Sequence, residues 1–473
     1  MNVLQPEAER ESKVDIDIAA EVRAEVDVVV PEGSQAESGT YAFVSLTAAE
    51  ANARLAALAH PTRTTFDTVT GRSAEVVSFQ PCQSYSSQDR HVVKELDIRG
   101  QKWTFTGVFD GHLGDATVQH TAHHLPIIVS EFLHKVVTGP SAPLPAPDVV
   151  SDILARAIIS FDDAIAGDVL ALFPGGLAGL PARSSAEIRT VLNDYYDGGQ
   201  NYQKARLCMY GTTALVALVD PAHEHLWVAN LGDSDAVLVS QTVAGAWECE
   251  LLNNIHNGDS DAEVERVQRE HPGEAECVLD GRVLGAIAPF RCIGDAPFKQ
   301  PALFTRRILY NLYPGIPDSS PWDAFLDRNL TPPYISARPE ITHRSLRAYA
   351  LPCGLAGTGD AGVGVGAGKG RPYLVLATDG LAELYDGFAR EEMAQDWARV
   401  VGAAVTASRS PSHSHSRAHA HAHAHAQAAP EENVALALLR HALGDDLVTV
   451  SQLLTLDMDR PWMDDTTIVV QAL

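Results

Sequence analysis

Three aspartates, Asp110, Asp379 and Asp464, each stand at one end of an apolar, strand-like run, and two of them are followed directly by glycine. Carboxylates are hard oxygen donors suited to Mg2+ or Mn2+, and three of them can share cations only if their strands lie side by side. A single Asp-Gly pair is otherwise an ordinary turn signal, so spacing by itself leaves both readings open. Two further stretches invite a chemical reading and do not sustain it. Gly368-Lys369, in the glycine-rich run Gly354 to Gly370, has Val363 where a nucleotide-binding loop needs glycine and Gly370 where it needs Ser or Thr. The alternating SHSHSRAHAHAHAHAQ within Ser408 to Pro430 offers imidazoles to transition metals, but its simpler reading is a repeat expansion in a surface loop.

The elements that must position the aspartates follow from periodicity. Trp103 to Phe109 alternates as a strand and delivers Asp110-Gly111-His112 at its end. Thr212 to Val219 and His225 to Leu231 read as consecutive strands, with Gly232-Asp233-Ser234 as the turn into Ala236 to Val239, which predicts an antiparallel meander. Tyr373 to Thr378 is a continuous apolar strand stopped by Asp379-Gly380, and Thr466 to Val470 is a strand directly after Asp464-Asp465. Ile153, Leu154, Ala157, Ile158, Phe161 and Ile165 follow helical spacing. Capping-box pairs open two more helices, Thr47 with Glu50 for one running through Leu58, and Ser260 with Glu263 for the other. Helices grouped between strands favour an α+β layered domain over a doubly wound parallel sheet. Residues 1–40 are acidic and weakly patterned and are expected as a mobile lead-in; residues 41–473 are expected as one catalytic domain with low-complexity insertions at 354–370 and 408–430.

VFDGH (Val108 to His112), GTTA (Gly211 to Ala214), VANLGDS (Val228 to Ser234), LATDGL (Leu376 to Leu381) and DDTTIVV (Asp464 to Val470) occur in that order. Together they resemble the motifs of the type 2C, or PPM-type, metal-dependent serine/threonine protein phosphatases. RVLGAIAPFRCIGDAPFK (Arg282 to Lys299) and PPYISARPEIT (Pro332 to Thr342) are similar to the pyruvate dehydrogenase phosphatase catalytic-subunit branch of that family. The resemblance implies a four-layer α-β-β-α sandwich, two antiparallel sheets flanked by helices, with a two-metal site at one end. It implies that Asp110 bridges two Mg2+ or Mn2+ ions, that the Gly111 carbonyl helps hold one, and that Asp379 and Asp464 complete the other. Asp233 matches an additional, weaker metal site shared with Asp379. Two cations about 3.5–4 Å apart neutralise a phosphomonoester and activate a bridging water for in-line attack on phosphoserine or phosphothreonine. His112 matches the family's proton donor to the departing oxygen; its other reading is to orient metal-bound water.

Several positions depart from the family pattern. In SYSSQDR, Asp89 matches an acidic pair, but Gln88 stands where a glutamate usually contributes to the second metal; an amide oxygen can ligate with less charge attraction. Ser84 falls where many members place a phosphate-binding arginine, which leaves Arg90 as the candidate substrate-binding substitute. Asp235 replaces the arginine common after GDS, and Ile255 in NIHN stands where the branch usually has aspartate. The expected function is Mg2+- or Mn2+-dependent protein serine/threonine dephosphorylation; the alternative is a phosphatase-fold regulatory or binding protein with weak or no turnover.

Composition excludes other classes. Sixty-one Asp and Glu against 35 Lys and Arg give a formal charge of −26, which disfavours nucleic acid or an anionic membrane as partner. No apolar run reaches the roughly 20 residues of a membrane span. Six cysteines without close pairing suggest neither a zinc ribbon nor a disulfide framework. The acidic first residues lack the basic character of a mitochondrial presequence. The expectation is a cytoplasmic monomer acting on a phosphorylated protein, with a mitochondrial location as the alternative.

Overall fold

The structure, a computed structural model, describes residues 23–28, 39–316, 322–349, 370–409 and 433–473. Two antiparallel sheets stack face to face. One has five strands in the order Glu340–Ser345, His225–Leu231, Ala214–Val219, Gln101–Phe109, Arg90–Ile98. The other has six, in the order Trp247–Leu251, Asp235–Gln241, Tyr373–Ala377, Thr466–Ala472, Arg72–Phe79, Thr62–Asp67.

The continuous apolar runs of the central strands now have a cause. Successive strand residues point to opposite faces, and here both faces are covered. Leu374 and Leu376 pack between the sheets with Leu215, Ala217, Val219 and Val469. Tyr373, Val375 and Ala377 face outward into a second core with Trp397 and Val401 of the helix Arg390–Arg409, Leu438 of Val434–Ala442 and Leu55 of Ala48–Ala59. On the other side, Ala214, Val216 and Leu218 meet Val129 of the helix Ala116–Leu133 and Ile153, Ala157 and Phe161 of Pro147–Leu170. The result is the expected α-β-β-α order of layers. Each wholly buried aliphatic side chain in these cores contributes on the order of 1.5–3 kcal/mol of transfer free energy.

Beside the sandwich, Val267, Phe290, Phe298, Phe325 and Tyr334 build a smaller core of their own within residues 261–335. That lobe forms one wall of the cavity described below.

Some expectations need correction. Ala214–Val219 and His225–Leu231 do pair antiparallel, but Asp235–Gln241 pairs with Tyr373–Ala377 in the other sheet. Gly232-Asp233-Ser234 is therefore a crossing between sheets rather than a meander turn. Ser260 caps the helix Asp261–Glu270 by position without the expected capping box: the Glu263 N–H donates to the Ser260 carbonyl at 3.0 Å, and the Glu263 carboxylate accepts from Arg266 and Arg291. The Thr47–Glu50 capping box forms as expected. Within the acidic lead-in, Arg23–Val28 pairs with Gly39–Val44. The insertion 354–370 lies outside the described residues except for Gly370, and 408–430 except for Ser408 and Arg409.

Candidate metal centre and active site

Strand ends from both sheets meet at a cavity of about 780 Å3 lined by Gln88, Asp110, Gly111, His112, Asp233, Asp379 and Asp464. Asp110 follows directly on Phe109, and its position is fixed by reciprocal bonds: its N–H donates to Thr213 Oγ1 at 3.2 Å, and Thr213 N–H donates to its carbonyl at 2.8 Å. Asp379 opens the short helix Asp379–Glu383 at the end of its strand. Asp233 arrives on the inter-sheet crossing. That crossing needs Gly232, which has φ +110° and would push a Cβ to 2.5 Å from Thr213. Buried His256 supports the same crossing, its Nδ1 accepting from Gly232 N–H at 3.2 Å.

Carboxylate oxygens of Asp110, Asp233 and Asp379 lie within 4.8 Å of one another. Asp464 lines the same cavity from an accessible position. Burial first, and then the neighbouring carboxylates, raise Asp379 to about 7; Asp464, though accessible to water at its surface, is also raised to about 7 by desolvation within the cavity and then by the Asp379 charge. Burial raises Asp233 to about 6, and Asp110 and Asp89 are pushed well above the carboxylate range by burial and by adjacent aspartates. Such a cluster gains most from a cation among its members.

Buried oxygens without partners identify where cations would be welcome. Asp379 Oδ1, Gln88 Oε1 and Asp89 Oδ1 accept no hydrogen bond from the protein. Gln88 is aimed by its surroundings: its Nε2 donates to Tyr85 Oη, and its backbone N–H donates to Asp465 Oδ2 at 2.7 Å. Asp89 does not line the cavity; it stands behind it, with Oδ2 accepting from Thr378 Oγ1 at 2.7 Å.

Arg90 is not placed for the substrate-binding role expected of it. Its Nε donates to Gln119 Oε1 and its Nη1 to the carbonyls of Ser87 and Asp89, each at 2.7 Å, and it does not line the cavity. Arg282 and Arg328 do. Arg328 is engaged by Glu276 and the Leu284 carbonyl, whereas Arg282 is exposed and has no ion-pair partner among the described residues. Ser84 donates to the Asp459 carbonyl, and Asp235, where the family has arginine, pairs with Arg390 at 2.6 Å.

His112 is bonded through Nε2 to Asp295 Oδ2 at 2.6 Å. Burial lowers the imidazole's basicity, but the Asp295 charge outweighs it and the net shift is upward. Sequence reasoning assigned no role to Asp295, nor to the wall of Ile287, Pro289, Phe298, Trp322 and Phe325 that faces the acidic floor. The only signal for Asp295 was a lone carboxylate inside the otherwise apolar segment CIGDAPF.

The fold and the cluster define an α-β-β-α sandwich protein with an acidic centre suited to divalent cations. The protein phosphatase 2C family matches residues 187–349. The mitochondrial pyruvate dehydrogenase phosphatase 1 of Bos taurus is 32% identical over 293 residues, covering 57% of this chain and 49% of that protein. A protein phosphatase 2C homolog of Schizosaccharomyces pombe is 26% identical over 406 residues, covering 84% and 78%. Among solved structures, a serine-threonine phosphatase 2C from Toxoplasma gondii aligns at TM-score 0.46 and 14% identity over 87% of this chain and 97% of that one. Residues 187–349 thus match the protein phosphatase 2C family, and the chain is similar over a longer stretch to pyruvate dehydrogenase phosphatases and to a protein phosphatase 2C homolog. It spans about half the length of the bovine relative. Among the described residues, no helix is long and apolar enough to cross a membrane.

Proposed function

We propose that this chain is a protein serine/threonine phosphatase whose catalytic domain is residues 41–473, acting on a phosphorylated protein as a monomer. The observation that carries the reading is the convergence of Asp110, Asp233 and Asp379 in an open cavity that also holds His112. Asp110 and the Gly111 carbonyl would hold one Mg2+ or Mn2+, Asp110 with Asp379 and Asp464 a second, and Asp233 with Asp379 a weaker third. The orphaned Gln88 Oε1 supports its place beside one of these ions, and Asp89 would act from behind. Bound as a pair, such ions neutralise the phosphate and activate water for attack on phosphorus. His112 delivers a proton to the serine or threonine oxygen as its bond to phosphorus breaks. Arg282, rather than Arg90, offers its charge to the substrate's anionic groups.

The observation favouring the rival reading, a binding protein with weak turnover, is Gln88 in place of glutamate. Release of phosphate from a phosphoserine peptide in Mn2+, and not in EDTA, separates the two. The mitochondrial names of the pyruvate dehydrogenase phosphatase relatives bring that compartment forward as the first to test by imaging the full chain.

A further inference from the structure

His112 belongs to a three-stranded ribbon that lies outside both large sheets. Gly111–His112 pairs with Gly211–Thr212, which pairs on its other edge with Ile293–Gly294. Gly211 is opposite His112 on one side and opposite Gly294 on the other. A Cβ on Gly211 would fall 1.8 Å from Asp295 Oδ2 and 2.3 Å from His112 Nε2. The middle strand must therefore carry glycine for the two side chains to meet above it.

Asp295 is held with unusual care. It is wholly buried, with backbone φ 51° and ψ 47° in the left-handed region, a conformation disfavoured for a residue with a side chain. Its N–H donates to the Tyr210 carbonyl at 2.9 Å. The Cys292 thiol donates to the same Oδ2 that meets His112, at 2.9 Å, and Oδ1 has no partner. The preceding residue is clamped by a second buried pair: Asp162 Oδ1 accepts from Gly294 N–H and from Lys299 Nζ, each at 2.7 Å, and Lys299 also donates to the Cys292 carbonyl. A buried carboxylate with one unpartnered oxygen on a strained backbone is a poor scaffold, since burying charge without full compensation costs stability.

We propose that Asp295 is a positioning residue for proton donation by His112, which rests on the phosphatase reading above. By accepting from Nε2–H it fixes the plane of the ring and leaves Nδ1 as the atom that gives up a proton. Water oxygen forms the new bond to phosphorus, its protons leaving with the phosphate product, and the bond from phosphorus to the serine oxygen breaks. The electron pair of that bond stays on the serine oxygen, which takes the Nδ1 proton, and His112 keeps its Nε2–H on Asp295.

The test compares a phosphoserine peptide with p-nitrophenyl phosphate, both in saturating Mn2+, because nitrophenolate departs without a proton and an alkoxide does not. Asp295→Asn is expected to lower the ratio of peptide to aryl phosphate kcat by about 10- to 100-fold, a share of the effect of a general acid. In a His112→Gln background the same substitution is expected to leave that ratio where His112→Gln has already put it. Equal losses on both substrates, or the same change of ratio in both backgrounds, would make Asp295 a structural residue only and overturn the assignment. Wild-type turnover of p-nitrophenyl phosphate distinguishes the two levels: without it the phosphatase reading falls and the dyad with it, whereas turnover with an unmoved ratio sinks the dyad alone.

Discussion

Asp379→Asn separates what the acidic cluster does for chemistry from what it does to the fold. The substitution keeps the side chain's shape and removes one charge from a group whose oxygens lie within 4.8 Å of those of Asp110 and Asp233. At an effective dielectric of about 20, two unit charges at that separation repel by about 3 kcal/mol. Asp379 has two such neighbours, but protons held by the cluster relieve part of the repulsion, so one pair's worth, about 3 kcal/mol, is the expected net gain in the metal-free protein. With an unfolding entropy of roughly 2 cal/mol/K per residue, that gain corresponds to a melting temperature about 3 °C higher for a chain of this size. In saturating Mn2+ the order reverses, because the wild type gains binding free energy that the variant has lost. Phosphopeptide turnover falls at least about 100-fold in the variant if, as proposed, the lost carboxylate is a metal ligand. Melting curves in EDTA and in Mn2+, taken beside phosphate-release rates, decide it. A variant that melts no higher than wild type in EDTA, and is stabilised equally by Mn2+, would refute the placement of Asp379 at a cation site.

Three further outcomes are expected. Gln88→Glu puts a carboxylate where a buried amide oxygen now has no partner and should lower the Mn2+ concentration for half-maximal activity about 10-fold; an unchanged requirement together with a lower melting temperature in both EDTA and Mn2+ would place Gln88 away from the metals. Arg282→Ala should raise KM for a phosphopeptide about 5- to 10-fold while kcat stays within about twofold, as expected for a contact made equally before and during reaction. Burial alone would raise the Glu263 carboxyl, but hydrogen bonds from Arg291 and Arg266 outweigh it and hold its pKa at about 2. Because the folded value is depressed, the stabilisation is complete above the ordinary value of 4.5 and is lost as pH falls toward 2. Glu263→Gln should therefore cost about 2 kcal/mol in urea unfolding at pH 7, with the difference from wild type shrinking below about pH 4.

The parts of the site that the sequence made visible are those where one physical signal ends and another begins. Asp110 and Asp379 stand out because an apolar strand has to stop before a carboxylate can face a cavity, and Asp464 because one starts just after it; both transitions are local. Asp233 was visible as a residue but not as a crossing. His225–Leu231 and Asp235–Gln241 are each buried on both faces, so neither alternates in a way that reveals whether the second continues the first sheet or joins the other. What decides is pairing with Tyr373–Ala377, more than 130 residues away by the numbering, and long-range pairing leaves no mark on a local pattern. Glu263 illustrates the converse error: its spacing from Ser260 fits a capping box, yet Arg291, 28 residues on, offers a charge-assisted bond at 3.0 Å that the helix N-terminus cannot match.

Arg90 and Asp295 mark the limit of reasoning by position. Arg90 carries the right charge next to Asp89, but the carbonyls of Ser87 and Asp89 and the Gln119 side chain lie closer to its guanidinium than the cavity does. Asp295 sits 183 residues from His112, and they meet only because two glycines, Gly211 and Gly294, let three very short strands approach. Gly294 itself has φ +86°, and a Cβ there would strike the Tyr210 carbonyl at 2.3 Å. Replacing either glycine by alanine should therefore part His112 from Asp295 while leaving both of those residues in the sequence. Since the phosphatase reading asks the imidazole to protonate an alkoxide and not a nitrophenolate, the glycine variants should move the same substrate ratio as Asp295→Asn. A glycine variant that folds, melts like wild type and keeps the wild-type ratio would show that the ribbon's close approach is not what orients His112.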